Sequence, residues 1–193
     1  MTMVDAMAKV TDDTDNDDLV QRAHTEADAL GQLYELYYDR IFQFCVYRLF
    51  NREIAEDVTS TVFLEVARGI RTFAGRTEED FRNWIYAIAA NQTNAFIRKT
   101  SRRQQILEKA ISSMRSPDKA DKSINLDWPT LYHAILKLKP QHQTIVTLRF
   151  FEKLSFEQIG QIINAREATV RVTLHRILNK LRSHLQAVFD GDK

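Results

Sequence analysis

Glycine, proline and cysteine are all scarce in this sequence, and their scarcity narrows what it can fold into. Only five glycines and three prolines interrupt 193 residues, and apolar residues recur at intervals of three and four rather than two, which predicts helices without a sheet. The one cysteine, Cys45, excludes an internal disulfide, and its place in an apolar stripe favours a packed core thiol. No apolar run is as long as a membrane span, and the N-terminus lacks the apolar core of a secretory signal. The sequence therefore predicts a soluble, cytoplasmic, all-α protein with no membrane partner.

The net charge is also close to zero, but acidic and basic residues are unevenly distributed along the chain. The formal charge is +1, while the first 18 residues are rich in aspartate and basic residues gather at 98–103 and again at 166–182. Local basic surfaces in a near-neutral chain predict a polyanion partner for those two segments. A solvated helix face is the alternative for either run taken alone.

The apolar pattern divides the chain into two small helical domains joined by a flexible linker. In the first domain we predict a long helix after Asp28, a second helix capped by Asn51, and a third from about Asp80 to Arg103. A polar stretch containing Pro117 reads as the linker, and Trp128-Pro129 opens the second domain. The predicted boundaries are an acidic tail at 1–17, a first domain at 18–104, a linker at 105–127 and a second domain at 128–187.

The segment that begins at Leu154 has the most specific local pattern. Ser155 and Gln158 have the spacing of a capping box, and Asn164 tolerates the left-handed backbone of a sharp turn before a longer basic helix. A short helix, a tight turn and a basic second helix form a helix-turn-helix, whose second helix enters the major groove. Arginine can bridge guanine O6 and N7, and Thr or His can add phosphate or base contacts. An αα-hairpin with a solvated basic face is the alternative. The residues predicted on or beside the exposed side are Thr169, Arg171, Thr173, His175 and Arg176.

The third helix of the first domain is predicted to bury one stripe and expose another. Three amides, one alanine and one arginine follow one another at spacings of three and four on the exposed stripe, at positions 83, 87, 91, 94 and 98, with Tyr86 and Arg82 beside them. Amides with flanking basic groups suit reading of base edges, and the aromatic-bearing loop before this helix suits stacking of an unpaired base. Separation of DNA strands requires both, because an exposed base must be captured outside the stack. The residues concerned are Arg82, Asn83, Tyr86, Asn91, Asn94 and Arg98.

Enzymatic chemistry has no support in the sequence. There is no nucleophile-base set, no phosphate-binding loop and no cluster of metal ligands, and the five histidines are scattered. We therefore expect no catalysis, no metal and no cofactor.

Three segments of the first domain and one of the second carry a resemblance to a known family. LYELYYDRIFQF, EIAEDVTSTVFLEVAR and FAGRTEEDFRNWIYAIAANQTNAFIRK occur in order, and F-x-G-R followed by F-R-x-W-I-Y-x-I-A-x-N is highly specific. The second domain contains T-V-R and L-H-R around its basic helix. From about residue 18 to 187, the chain resembles the extracytoplasmic-function (ECF) group of bacterial RNA polymerase sigma factors.

The resemblance implies a promoter-specificity subunit that catalyses nothing itself. Its partners would be core RNA polymerase, through the β′ clamp helices and the β flap, and promoter DNA, with an anti-sigma factor as a further candidate. The linker would thread towards the RNA exit path. The implied contacts are Glu53, Glu56, Asp57, Ser60 and Thr61 for β′; Phe73, Arg76, Arg82, Asn83, Tyr86, Asn91, Asn94 and Arg98 for the minus-ten element; and Arg166, Thr169, Arg171, Thr173, His175 and Arg176 for the minus-thirty-five element.

The basic helix departs from the family pattern at several positions. Arg166 stands where relatives usually carry a serine N-cap, Ala165 replaces a larger apolar residue, and Val172-Thr173 replaces a polar residue and an arginine. These departures bear on which minus-thirty-five sequence is read rather than on whether DNA is read.

The predicted β′-facing helix departs in its charge. The family's usual E-D-L-V-Q-E-T-F aligns with residues 56–63, so Thr61 occupies the place of an acid, on one stripe with Glu53 and Asp57. Phosphorylation of Thr61, or of Ser60 or Thr59 beside it, would add about −1.5 to −2 charge. The hypothesis is that docking is weak until a Ser/Thr kinase modifies this helix. The alternatives are that the hydroxyls only tune affinity, or that Thr61 packs against a neighbouring helix.

Two rival functions remain open on the sequence. A helix-turn-helix regulator would bind duplex DNA tightly without core polymerase, which a sigma factor should not do. A protein-binding helical adaptor, such as an anti-sigma decoy, would support no promoter-dependent transcription.

Overall fold

Every regular element of the described residues is a helix, as the sequence predicts. The computed structural model describes residues 16–112 and 134–190, with side chains described outside 102–112 and 184–190. The predicted acidic tail before residue 16, the linker from residue 113 and the opening at Trp128-Pro129 lie outside the described residues. The helices are α1 (16–22), α2 (Ala27–Leu49), α3 (Arg52–Gly69), α4 (Glu78–Ser112), α5 (134–136), α6 (Pro140–Phe150), α7 (Phe156–Ile163) and α8 (Glu167–Asp190), and Ile70–Thr72 is a single 3-10 turn.

The chain divides into two compact units. One contains the described residues up to Thr93 together with Gln161–Asn164, and the other contains those of Asn94–Gly160 and Ala165–Lys193. This division falls inside α4, and the domain boundaries given by the sequence stay predictions. Among the described residues, no helix is both long enough and apolar enough to cross a bilayer.

The core of the first unit is built where α2 packs on α3. Burial of this apolar stripe drives the packing, at about 1.5–3 kcal/mol for each large side chain. Tyr34 was predicted inside but is 45% exposed, because its ring lies at the edge of the stripe against Phe63. The predicted residues that are buried are Leu33, Tyr37, Ile41, Phe44 and Cys45 from α2 and Val58, Val62 and Val66 from α3.

The helix boundaries follow local chemistry. Phe50 ends α2 with a φ of 53°, and the predicted cap is confirmed, since Asn51 accepts a hydrogen bond from the Ile54 amide at 3.0 Å. Helix α4 continues to Ser112, past the end predicted at Arg103, because no glycine or proline interrupts the chain there.

In the second unit, apolar positions of α6, of α7 up to Gly160 and of α8 are buried. Pro140 opens α6, where its fixed φ and missing N–H are tolerated. Leu178 was predicted inside but is 39% exposed, since it lies beside the buried stripe of Val170, Leu174, Ile177 and Leu181.

Candidate nucleic-acid and docking surfaces

The turn between α7 and α8 has the close backbone approach of a helix-turn-helix. Asn164 has a φ of 52°, as its position in the sequence predicts, and the Ala165 amide donates to the Gly160 carbonyl at 2.8 Å. A Cβ on Gly160 would lie 2.6 Å from the Ala165 oxygen. The turn therefore requires glycine at 160 for space and a residue tolerant of positive φ at 164.

The start of α7 is fixed by the predicted capping box. The Gln158 amide donates to Ser155 Oγ at 3.1 Å, and the Ser155 amide donates to Gln158 Oε1 at 2.9 Å. Two backbone donors that the helix leaves without partners are thus satisfied by side chains three residues apart. The prediction from the sequence is confirmed.

The outer side of α8 presents the side chains predicted to meet the minus-thirty-five element. Thr173 is half-buried, and His175 hydrogen-bonds Asn179 at 3.1 Å. Val172, one of the departures from the family pattern, is 49% exposed beside them. The arrangement can offer guanidinium, hydroxyl and imidazole groups to a DNA groove. The exposed residues of the set are Arg166, Thr169, Arg171, His175 and Arg176.

Two arginines share one aromatic ring at the start of α7. The Cζ atoms of Arg149 and Arg171 lie 4.8 and 4.7 Å from the centroid of Phe156. Arg149 also donates to the Leu154 carbonyl at 2.8 Å, and Arg171 donates to the carboxylate of Glu167. The sequence predicted only Arg171 among these residues. The four-residue spacing of Glu167 and Arg171 is a helix-pair signal, whereas contacts that join α6, α7 and α8 leave no local pattern.

The loop between the 3-10 turn and α4 is closed by an aromatic stack. Phe73 stacks on Trp84, with ring centroids 4.5 Å and planes 17° apart, and meets Phe81 edge-on at 6.2 Å. A Cβ on Gly75 would lie 2.3 Å from the Phe73 ring and 2.5 Å from the Asp80 Cβ, so only glycine fits there. Phe73 is partly exposed, and Arg76 is exposed. The loop thus presents one arginine beside a ring that already has a stacking partner.

The end of this loop that leads into α4 is fixed by hydrogen bonds. Asp80 accepts from the amides of Arg76 and Thr77 at 3.0 and 3.2 Å, and its own amide donates to Thr77 Oγ1 at 3.1 Å. These bonds favour the ionised carboxyl and hold the pKa of Asp80 below its usual value, with the Arg76 amide as the largest cause. The loop is therefore built onto the first turn of α4 by a second capping box.

Helix α1 and the turn that follows it also hold the loop and the start of α4. The Glu78 amide donates to Asp17 at 2.6 Å, Gln21 donates to the Arg76 carbonyl at 3.4 Å, and His24 stacks on Phe73 at 6.1 Å. Sequence reasoning missed these contacts, because about 55 to 61 residues separate the partners of the two hydrogen bonds.

The amide face predicted on α4 is only partly exposed. Asn91 and Arg98 are exposed, but Asn83 and Asn94 are 8% and 7% exposed. Each of these two amides has a partner within its own unit, Asn83 donating to Gln161 and Asn94 accepting from Thr144. Only one of the three predicted amides, Asn91, is therefore exposed, and the predicted exposed row is not present in this structure.

Two further predicted members of the minus-ten set are engaged elsewhere. Tyr86 is 2% exposed and packs edge-to-face on Phe44 at 5.6 Å. Arg82 is half-buried and pairs with Glu78 and Glu79 at 3.5 and 3.2 Å. Tyr86 is thus a core residue, because its ring completes the packing of α4 on α2.

The outer face of α3 carries the predicted acidic stripe. All five predicted β′ contacts are exposed, and Thr61 donates its hydroxyl to the Asp57 carbonyl at 2.9 Å. Thr61 therefore does not pack against a neighbouring helix. Leu64, one turn after Thr61 in the same helix, is 50% exposed and places an apolar side chain beside the acidic stripe. The exposed acidic and hydroxyl residues are Glu53, Glu56, Asp57, Ser60 and Thr61.

Thr59 is not accessible to a kinase and is withdrawn as a candidate phosphosite. It is fully buried, and its spacing from Ala55, Val62 and Val66 would have placed it on the inner stripe. Its hydroxyl lies by Cys45, whose thiol pKa is raised by burial to about 11. Cys45 is therefore a protonated core thiol at neutral pH, as its apolar stripe predicts.

Two family models match the chain. Sigma-70 region 2 matches residues 33–103, which hold most of α2, all of α3 and most of α4. Sigma-70, region 4 matches residues 134–183, which hold α7, the turn and most of α8. The matched segments follow the order that the sequence predicts.

Curated relatives agree with these matches. BldN, an ECF RNA polymerase sigma factor of Streptomyces coelicolor, is 32% identical over 85% of this chain and 63% of its own length. YlaC and SigW of Bacillus subtilis are 28% and 29% identical, over 82% and 83% of this chain and 92% and 91% of their lengths. The chain thus spans less than two thirds of BldN and about nine tenths of the other two.

Among solved structures, a sigma factor in complex with an anti-sigma factor shares the fold. The sigma factor RpoE of Bartonella quintana, in complex with the anti-sigma factor NepR, matches with a TM-score of 0.59. The match covers 81% of this chain and 96% of that chain at 18% identity, which is a likeness of fold.

Proposed function

The chain belongs to the extracytoplasmic-function group of RNA polymerase sigma factors, and from this premise we propose that it binds core polymerase, recognises promoters and allows DNA to open for initiation. The observation that carries the proposal is the outer side of α8. There, four predicted DNA contacts are exposed on the second helix of a helix-turn-helix, and a fifth, Arg166, is exposed directly before it. The turn of this motif requires Gly160. An αα-hairpin with a merely solvated face would need neither that close turn nor side chains suited to base edges.

The minus-ten element would be met by the loop that contains Phe73 and Arg76 and by the exposed part of α4. Asn91 and Arg98 are accessible there, while the buried Tyr86 would support the helix from inside. The stack of Phe73 on Trp84 supports a loop that keeps its shape before DNA arrives. A preformed loop lowers the ordering cost of capturing an unpaired base.

The outer face of α3 would dock on the β′ clamp helices. Its exposed acids can meet a basic partner, and the exposed Leu64 can contribute apolar contact at the same surface. The β flap would be met by the second domain. Family membership supports this assignment together with the exposure of the whole acidic stripe.

Docking would be controlled by a Ser/Thr kinase acting on Thr61 or Ser60. Both side chains are exposed, and Thr61 stands one helical turn from Asp57, at the place of an acid in the family pattern that the chain resembles. A phosphate would replace one local hydroxyl-to-carbonyl bond with about −1.5 to −2 charge at the docking face. The unmodified protein would then bind core polymerase weakly.

Run-off transcription with purified core polymerase tests the general proposal. The protein should produce transcripts from a promoter library only when core polymerase is present, and it should bind the same duplexes weakly alone. Tight duplex binding without polymerase would instead support the helix-turn-helix regulator. Polymerase binding without any promoter-dependent transcript would support the protein-binding adaptor.

An anti-sigma factor is a further proposed partner, because a protein that covers α3 or α8 would block docking or DNA recognition. Cytoplasmic action, associated with the nucleoid through polymerase, follows from the proposed function. Pull-down of the full chain with core polymerase, with and without a candidate anti-sigma protein, tests this proposal through competition.

A further inference from the structure

The contacts of Phe156 form a continuous series from α6 to α8. Arg149 is fixed at one end by the Leu154 carbonyl, and its Cζ lies 4.8 Å from the Phe156 ring. Arg171 lies over the same ring at 4.7 Å and is fixed at the other end by Glu167. All five residues belong to one unit.

Neither contact of Arg171 would hold it alone. The Arg171–Glu167 pair is exposed, with side-chain exposures of 62% and 47%, and exposed ion pairs add little. A single exposed cation–π contact is also weak. Together they restrain a long side chain from two directions, which reduces the rotamer freedom lost when DNA binds.

The restraint leaves the recognition chemistry of Arg171 available. A guanidinium has five N–H donors, and the bond to Glu167 comes from Nη2. A ring contact uses the face of the guanidinium rather than its donor edge. The remaining donors can therefore meet the O6 and N7 acceptors of guanine without the side chain leaving the ring.

We propose that Phe156, steadied by Arg149, is a positioning residue that sets base selectivity by holding Arg171 for one base pair of the minus-thirty-five element. The inference rests on the proposed function. Phe156 itself touches no base: it acts through Arg171. Its loss should therefore alter the same positions of the DNA motif as loss of Arg171.

The experiment uses holoenzyme made from the full chain and core polymerase. Templates with a randomised minus-thirty-five element each carry a transcribed barcode that identifies their sequence, and the barcodes of the run-off transcripts are sequenced. The proteins compared are the wild type, Arg171→Ala, Phe156→Leu, Phe156→Tyr and the double variant Phe156→Leu/Arg171→Ala. Phe156→Met, which also removes the ring, replaces Phe156→Leu if that variant does not fold, as judged by its thermal unfolding. Arg149→Gln tests the other end of the series.

We expect Arg171→Ala to reduce the preference for one base pair by about tenfold. Phe156→Leu should reduce the preference at that same base pair, by about threefold to tenfold. Phe156→Tyr should retain it because the ring remains. The double variant should resemble Arg171→Ala, because the two residues act in one series. Arg149→Gln should give a smaller loss at the same position.

Several results would overturn the inference. Phe156→Leu could lower transcription equally for every sequence, which would indicate a structural role alone. It could instead alter a different base pair, or leave the motif unchanged while Arg171→Ala changes it. An unchanged motif in Arg171→Ala would show that Arg171 does not recognise a base. Failure of the wild type to transcribe any library member would overturn the proposed function, and this inference with it.

Discussion

Phe73 stacks on Trp84 with ring centroids 4.5 Å apart and planes inclined by 17°. The ring is thus occupied within the protein, although the sequence alone predicts it as a platform for an unpaired base. Gly75 and Asp80 close the loop around this stack. The first role of Phe73 is to give the loop its shape, and contact with DNA would use the part of the ring that stays exposed.

Replacing Phe73 by Ala should weaken both the loop and promoter opening. Phe73 is half-buried, so we expect a loss of about 1–2 kcal/mol in the free energy of unfolding, below the 3–5 kcal/mol of a fully buried ring. Urea unfolding measures this loss, and a fluorescent base in the minus-ten element reports opening by holoenzyme. Phe73→Tyr is the control and should preserve both. Normal promoter opening by a destabilised Phe73→Ala variant would show that the shape of this loop does not contribute to DNA melting.

Gly160→Ala should destabilise the helix-turn-helix. The added methyl would lie 2.6 Å from the Ala165 oxygen, which forces the turn apart at a cost of about 1–3 kcal/mol. Gly31→Ala is the matched control, since Gly31 lies in a helix and has no neighbour within 4 Å of the added carbon. That control should stabilise the protein by up to about 1 kcal/mol. Equal unfolding midpoints for the two variants would contradict the close turn.

The local caps and the buried stripe could be predicted from the sequence because their causes lie within four residues. Asn51 caps α3, and Ser155 with Gln158 caps α7, since each side chain meets an amide three residues away. The inner stripe of α2 likewise follows from helical spacing.

Contacts between distant segments left no such signal. Asp17 meets the Glu78 amide across 61 residues, and Arg149 and Phe156 join separate helices. Thr59 is different, because its spacing from Val62 and Val66 does place it inside. It was wrongly predicted as a candidate phosphosite because it lies close to Thr61 in the sequence. The prediction that the amides on α4 are exposed was wrong for another reason. Helical spacing places residues on one face but does not show what covers that face.

The cap at Asp80 should make the free energy of unfolding depend on pH in the acidic range. Because backbone amides bind the ionised carboxyl and lower its pKa in the folded state, its contribution is present above the ordinary value of 3.8 and is lost as pH falls through the lowered pKa. Asp80→Asn should therefore lower stability at pH 7, by less than about 1 kcal/mol for this exposed group. The difference from the wild type should shrink towards pH 3 in denaturant titrations. A difference that grows on acidification would contradict this assignment.

Charge at position 61 should decide how tightly the protein binds core polymerase. Thr61→Glu restores an acid on the exposed stripe of Glu53 and Asp57 and should lower the Kd for core polymerase by about tenfold. Thr61→Ala should stay as weak as the unmodified wild type, because the hydroxyl contacts only its own helix. Fluorescence anisotropy of the labelled full chain measures each Kd.

The matched control for added charge is Thr25→Glu. Thr25 is also exposed, in the same unit, and its hydroxyl likewise donates to a backbone carbonyl, that of Arg22 at 3.5 Å. Because Thr25 lies outside α3, its substitution should leave the Kd unchanged. Kinase-treated wild type should match or exceed Thr61→Glu, and treatment of Thr61→Ala should have no effect if Thr61 is the site. A lower Kd for kinase-treated Thr61→Ala would indicate that Ser60 is the modified residue. Equal Kd values for treated and untreated wild type would exclude control by phosphorylation.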